Sequence, residues 1–259
     1  MNVIKRISGR TVHFDTGAGG IIGTREYQQD YGYLYADGEK TFGILCDGMG
    51  GLEGGERASK TAVERMAEDF QRKQPRRQIL DFFVEEVHKT DKEVAGLRDR
   101  NGRNMRAGTT MLAALMSNGR LSFLSVGDSK IYLIRGMKIQ AITPEHNYRL
   151  KLNEDLEMGR ITSEKYRIEI DTPKAEALIS FIGMNGVTRI YTNTIALEKG
   201  DIVLMCSDGL YKCMSDEQIL AMVRDNDIDM EMAADRLLIM SEKCARRGQD
   251  NTTVILMRY

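Results

Sequence analysis

The chain has 259 residues, 42% hydrophobic and 29% charged, with a formal net charge of -1 and a pI near 6.4. That is an ordinary soluble globular composition, long enough for one large domain or two small ones. The near-neutral balance argues against a nucleic-acid or anionic-membrane surface, and no run of about 18 apolar residues marks a membrane span.

The Met1-Asn2-Val3-Ile4-Lys5-Arg6 start lacks the apolar run of a signal peptide, so a cytoplasmic location is expected. The short basic runs Arg72-Lys73, Arg76-Arg77 and Arg246-Arg247 read as solvated faces. Cys46, Cys206, Cys213 and Cys244 show no CxxC spacing and read as reduced thiols. Three histidines without an HxH or HExxH pattern argue against zinc, and sixteen methionines read as core filler.

In chain order, Gly17-Ala18-Gly19-Gly20 reads as a turn before a strand. Asp37-Gly38 between apolar runs at 31–36 and 39–46 is a hairpin signal. A helix is expected over 55–73, because Ala58, Ala62, Met66 and Phe70 recur four apart on one face. Pro75 ends it, and a second helix over 76–98 buries Ile79, Phe82, Phe83 and Val87. Asn118-Gly119 pairs 109–117 with 120–126, and Arg135-Gly136 pairs 130–134 with 137–142. Strands at 189–197, 202–207 and 252–258 and helices at 145–157, 215–224 and 230–246 complete the pattern. Hairpins with helices in separate blocks define an α+β layered protein. It is read as a single domain, 1–259, with the charged segment 145–185 as a flap.

Five aspartates sit at strand ends: Asp30, Asp47, Asp128, Asp208 and Asp250. If Asp37-Gly38 is a two-residue loop, opposed residue numbers sum to about 75, so Asp30 faces Leu45 with Asp47 just beyond. The same arithmetic sets Asp128 opposite Thr109. Carboxylates gathered together cannot all stay ionised without cations, so the pattern points to hard divalent metals. Asp47-Gly48-Met49-Gly50-Gly51 fits no GxGxxG or Walker pattern, but suits a metal loop in which a backbone carbonyl approaches an ion. Arg25, five residues before Asp30, can hold a phosphate through its guanidinium fork.

Taken in order, these segments resemble the metal-dependent protein phosphatases of the protein phosphatase 2C (PP2C) family, bacterial branch. Gly23-Thr24-Arg25-Glu26-Tyr27-Gln28-Gln29-Asp30 is similar to GxRxxNQD, and residues 47–51 to DGMGG. Gly108-Thr109-Thr110 matches GTT, and Val126-Gly127-Asp128-Ser129 matches VGDS before Tyr132-Leu133. Ile142-Thr143-Pro144-Glu145-His146-Asn147 resembles LTxDHS, Ser207-Asp208-Gly209-Leu210 matches SDGL, and Asp250-Asn251-Thr252-Thr253 resembles DNxT. The resemblance implies an α-β-β-α sandwich of two antiparallel sheets flanked by helices. It implies that Asp47 bridges two Mn²⁺ or Mg²⁺ ions, with the Gly48 carbonyl, Asp208 and Asp250 completing the shell. Asp30 would serve an outer or second-metal shell, Asp128 with Asp208 a weaker third ion, and Arg25 the substrate phosphate.

Two positions depart from the pattern. Gln28 replaces the usual Asn, a change expected to leave metal binding intact. Met49 stands where many eukaryotic members carry a His proposed as general acid. The leaving serine oxygen then needs another proton source, for which a water near Asp128 is the hypothesis. The implied activity is phosphoserine and phosphothreonine hydrolysis by a metal-bridging hydroxide, with Asp47, Asp208 and Asp250 as catalytic residues. The implied partners are phosphorylated proteins and a cognate bacterial-type Ser/Thr kinase, with the chain a monomer. An active enzyme dedicated to one phosphoprotein of a partner-switching pathway is a variant of that reading. The competing class is a catalytically weak member acting as a phospho-dependent docking module. The presence of all three core aspartates weighs against it.

Overall fold

Every hairpin turn expected from the sequence is present in the computed structural model, which describes residues 4–8, 15–51, 53–75, 78–224, 228–244 and 248–259. The predicted start of the second helix at 76, the end of the last at 246, and the pairs Arg76-Arg77 and Arg246-Arg247 lie outside the described residues.

One sheet runs in the order β1 (Ile4–Ser8), β3 (Asp30–Ala36), β4 (Lys40–Gly50), β6 (Met111–Ser117), β7 (Arg120–Val126) and β10 (Tyr191–Ala196), with β5 (Ala107–Thr109) paired to the end of β4. The other runs β2 (Asp15–Ile21), β12 (Thr252–Arg258), β11 (Ile202–Cys206), β8 (Lys130–Arg135) and β9 (Lys138–Ala141). All pairings are antiparallel except β1 on β3.

Helices α1 (Gly54–Lys73) and α2 (Ile79–Ala95) cover the outer face of the first sheet. Helices α6 (Asp216–Val223) and α7 (Met230–Cys244) cover the second. Between the sheets lies a third apolar layer that includes Leu45, Leu112, Phe123, Ile131, Val203, Met205 and Ile255. This is the expected α-β-β-α sandwich. Both faces of its central strands are buried, which is why they read as continuous apolar runs rather than alternating ones. Along β4, Phe42, Ile44 and Cys46 meet the helix layer while Leu45 meets the second sheet.

The helix phase from sequence is right for α1, where Ala58, Ala62, Met66 and Phe70 are all buried. The glycine cluster at 17–20 lies inside β2 rather than in a turn before a strand. A Cβ on Gly17 would lie 1.8 Å from the Met230 carbonyl oxygen, so the start of α7 packs directly on bare backbone.

The first hairpin differs in register. The last pair is Ala36 with Thr41, so Asp30 directly faces Asp47 rather than Leu45. The Asp37 N–H bonds to the Lys40 carbonyl at 3.0 Å, so the two-residue loop is Gly38-Glu39, one position later, and the Asp37 carboxylate accepts from the Glu39 and Lys40 N–H groups at 2.8 and 2.9 Å. The second hairpin keeps the expected register, with Met111 opposite Val126. Thr109 nevertheless pairs with Gly48, and Asp128 lies beyond the ladder.

Segment 145–185 contains α3 (Tyr148–Glu157), α4 (Ser163–Ile170) and a 3₁₀ turn, Pro173–Glu176. Asn147 and Thr162 cap the two helices through their side-chain oxygens. Arg189 ties the segment down by donating to both Glu154 oxygens at 2.7 Å. No described helix is long and apolar enough to cross a membrane.

Candidate metal centre and phosphate site

Four of the five aspartates, Asp47, Asp128, Asp208 and Asp250, line one cavity of about 320 Å³. Each arrives by a different route. Asp47 follows the buried run Thr41–Cys46 of β4; Asp128 follows β7; Asp208 opens the single turn α5 (Asp208–Tyr211) after β11; Asp250 precedes β12. Both sheets therefore contribute. Gly48, Met49, Arg25 and Leu178 of segment 145–185 are among the other residues that line it.

Asp30 does not line the cavity. It sits behind Asp47, 2% exposed, with Oδ2 accepting from the Ser207 hydroxyl at 2.8 Å. Its Oδ1 is buried without a hydrogen bond of ordinary geometry, although the nearby Thr253 hydroxyl favours the charged carboxylate. An orphaned carboxylate oxygen beside a second carboxylate is costly unless a proton or cation joins them. Burial raises Asp30 to about 7, and burial followed by the Asp30 charge raises Asp47 well above the usual carboxylate range. Burial and then Asp208 raise Asp128 to about 6. The donor set is all oxygen, which suits hard divalent cations.

Among the described residues, no three Asp, Glu, His or Cys side chains already converge as a ready metal shell. Two of the four carboxylates are instead paired with cations of the chain. Arg25 Nη2 donates to Asp250 Oδ2 at 2.6 Å, and Lys212 pairs with Asp208 one helical turn away. Sequence reading passed over Lys212, although its i,i+4 spacing from Asp208 was the available signal.

The frame beneath these groups is tightly bonded. Gly48 must be glycine, because a Cβ there would lie 2.1 Å from the Gly55 carbonyl oxygen. Asp47 N–H and C=O are held by Thr110 and Thr109, and Thr110 Oγ1 meets Ser129 Oγ at 2.8 Å. The Gly127 N–H donates to His146 Nδ1, and the His146 N–H returns to the Gly127 carbonyl, clamping the turn that carries Asp128. Burial holds His146 down at about 4, so it accepts as a neutral ring. Asn251 binds Ile22, Tyr27 and Gln29, joining the Arg25 loop to Asp250. Gln28 donates to the Ile21 carbonyl and accepts from the Asp30 N–H, both at 3.2 Å, so its amide supports Asp30 through backbone. Sequence reading quoted Thr110, Ser129, Ser207 and Asn251 only as motif letters and gave them no role.

A family model for protein phosphatase 2C matches residues 21–243. The chain belongs to that family. It is 29% identical to protein phosphatase PhpP of Streptococcus pneumoniae over 90% of this chain and 92% of that one. The solved serine/threonine phosphatase of S. agalactiae superposes with a TM-score of 0.81 at 23% identity, covering 95% of this chain and 99% of that one. The catalytic domain of the serine/threonine phosphatase PstP, solved with two manganese ions, gives a TM-score of 0.75 at 25% identity, with 96% and 99% covered.

Proposed function

We propose that this protein serine/threonine phosphatase hydrolyses phosphoserine and phosphothreonine esters of proteins in the four-aspartate cavity. Asp47, the Gly48 carbonyl, Asp208 and Asp250 would hold two divalent ions, Mn²⁺ or Mg²⁺. Asp128 and Asp208 would hold a weaker third ion, and Asp30 would back Asp47 from behind. The observation that carries this reading is the convergence of four carboxylates from two sheets on one small cavity, with an orphaned fifth behind them.

Ions held there supply an activated water and neutralise charge on the phosphoryl group. The chain's own residues do the rest. Asp208 and Asp250, paired here with Lys212 and Arg25, would hold the ions, and Arg25 would then offer its fork to two phosphoryl oxygens. Asp47, fixed by Thr109 and Thr110, sets the geometry of attack on a rigid strand. Met49 on the cavity wall cannot donate a proton, so the leaving serine oxygen takes its proton from the solvent side that Asp128 orients. Segment 145–185 would act as a flap, a reading supported by Leu178 in the cavity wall. The setting is a cytoplasmic monomer opposing a bacterial-type Ser/Thr kinase.

The test is p-nitrophenyl phosphate hydrolysis with Mn²⁺, with chelator, and in Asp208→Asn. Turnover that requires metal and falls at least about 100-fold in the variant is expected. A folded, metal-binding wild type with no turnover above the variant would overturn the enzyme and favour a docking module.

A further inference from the structure

Beside the aspartate cavity lies a second, larger one of about 960 Å³, with Arg25 and Asp250 in its wall as well. The two spaces therefore adjoin across the Arg25–Asp250 pair. Their charge is opposite. The smaller is lined by four aspartates against Arg25. The larger is lined by Arg25, Lys212 and Lys243, and among the described residues Asp250 is the only carboxylate there. The remainder of its wall is small or neutral, including Gly209, Gln218 and Gln249.

Lys243 is exposed in the last turn of α7 and makes no ion pair among the described residues. A cation in that turn also offsets the helix dipole. That explains a lysine at the position but not its sharing a cavity with two further cations. Lys212 and Arg25 are half or more exposed although each pairs with an aspartate. If Asp208 and Asp250 hold divalent cations and Arg25 the reacting phosphate, Lys212 and Lys243 remain on this space without a carboxylate partner of their own.

We propose that the larger cavity is an anion subsite that takes an acidic group of the substrate flanking the phosphorylated residue. This deepens the phosphatase reading and rests on it. The recognised chemistry is an anionic oxygen cluster on a peptide, either a Glu or Asp carboxylate or a second phosphate. A volume of about 960 Å³ admits several residues of extended chain rather than one side chain. The subsite makes this chain selective for acidic or multiply phosphorylated segments, with Lys212 and Lys243 as the specificity-determining side chains.

Three phosphoserine peptides test it at low ionic strength: neutral flanks, Glu flanks, and a neighbouring second phosphoserine. The readout is the ratio of kcat/KM for each acidic peptide to that for the neutral one, taken within each protein so that any change at the metal centre cancels. Wild type should prefer at least one acidic peptide by about tenfold, and Lys243→Gln and Lys212→Gln should each lower that ratio about threefold. A preference confined to the second-phosphate arm assigns the source as phosphate; one shared by both arms assigns it as general acidity. Fluorescence anisotropy of the unphosphorylated Glu peptide, which reports binding without turnover, should weaken in Lys243→Gln and with added salt. A wild-type ratio near one, or ratios unchanged in both variants, overturns the subsite and leaves the phosphatase standing. Absence of metal-dependent turnover on every peptide and on p-nitrophenyl phosphate overturns both.

Discussion

Asp30 and Asp47 face each other across β3 and β4, and their protons compete with any cation that enters. Asp30 is raised from the ordinary carboxylate value to about 7, chiefly by burial. A group raised on folding binds more protons folded than unfolded, so its favourable contribution is lost as pH climbs through the folded value. His146, lowered to about 4 by burial, acts oppositely but only below its unfolded value near 6.5. Asp47 and Asp128 are raised with the same sign, so between pH 6.5 and 8 the slope belongs to the carboxylate cluster, with Asp30 at about 7 inside the window. In chelator, the melting temperature should fall by about 2–4 °C over that window, on the order of 1 kcal/mol for one group titrating near 7. Asp30→Asn should flatten the slope; a melting temperature that rises with pH would refute the assignment. At Gly48 the constraint is steric, since a Cβ would meet the Gly55 carbonyl at 2.1 Å. Gly48→Ala should cost about 2–4 kcal/mol in thermal unfolding and weaken Mn²⁺ binding by calorimetry. Asp128→Asn should slow phosphoserine peptides more than aryl phosphates, whose leaving groups need no proton. Equal slowing would remove Asp128 from leaving-group protonation.

Among the elements, the connection from segment 145–185 back to β10 depends on a distant helix. The Asp91 side chain on α2 is 2% exposed and accepts from the N–H groups of Gly183, Asn185, Gly186 and Val187. Gly183, Asn185 and Gly186 have positive φ, a run that no ordinary turn would hold unaided. The adjoining Ile182 exchanges backbone hydrogen bonds with Thr109, which also grips the Asp47 carbonyl. Asp91→Ala leaves four donors without their acceptor and should destabilise the protein by about 3 kcal/mol. Hydrogen exchange at 183–187 should accelerate in this variant well before exchange in β4 and β6. Uniform acceleration would make Asp91 a global rather than a local anchor. Nothing in the sequence joins Asp91 to residue 186, because the contact is long-range and both partners are common loop and helix residues.

For the whole molecule, the proposed metal centre would act as a clamp between sheets. Asp47 belongs to the first sheet, Asp208 and Asp250 flank strands of the second, and Asp128 sits on the crossing from β7 to β8. Binding to the folded state alone stabilises it by about 2.7 kcal/mol at a hundredfold excess over Kd. Saturating Mn²⁺ should thus raise the melting temperature by about 5–10 °C over chelator at pH 8. Asp208→Asn should lose most of that rise. An unchanged melting temperature would place the ions elsewhere.

The sequence by itself determined the layered class, the hairpins, the phase of α1 and the aspartates that meet, since turn chemistry and periodicity are local properties. Motifs in fixed order also placed Arg25 near them. Local pattern failed where a side chain acted on the backbone or a neighbour came too close. Asp37 bonds Glu39 and Lys40 and the turn sits one residue later, which sets Asp30 opposite Asp47. The glycines at 17–20 looked like a turn but are bare because α7 lies on them. Only the tertiary structure decided that Asp30 stands behind the cavity rather than in its wall, and that Lys212 and Arg25 hold Asp208 and Asp250. It also set a basic cavity beside an acidic one. Such features depend on which charges become neighbours after folding, and Coulomb interactions between distant segments leave no period in the chain.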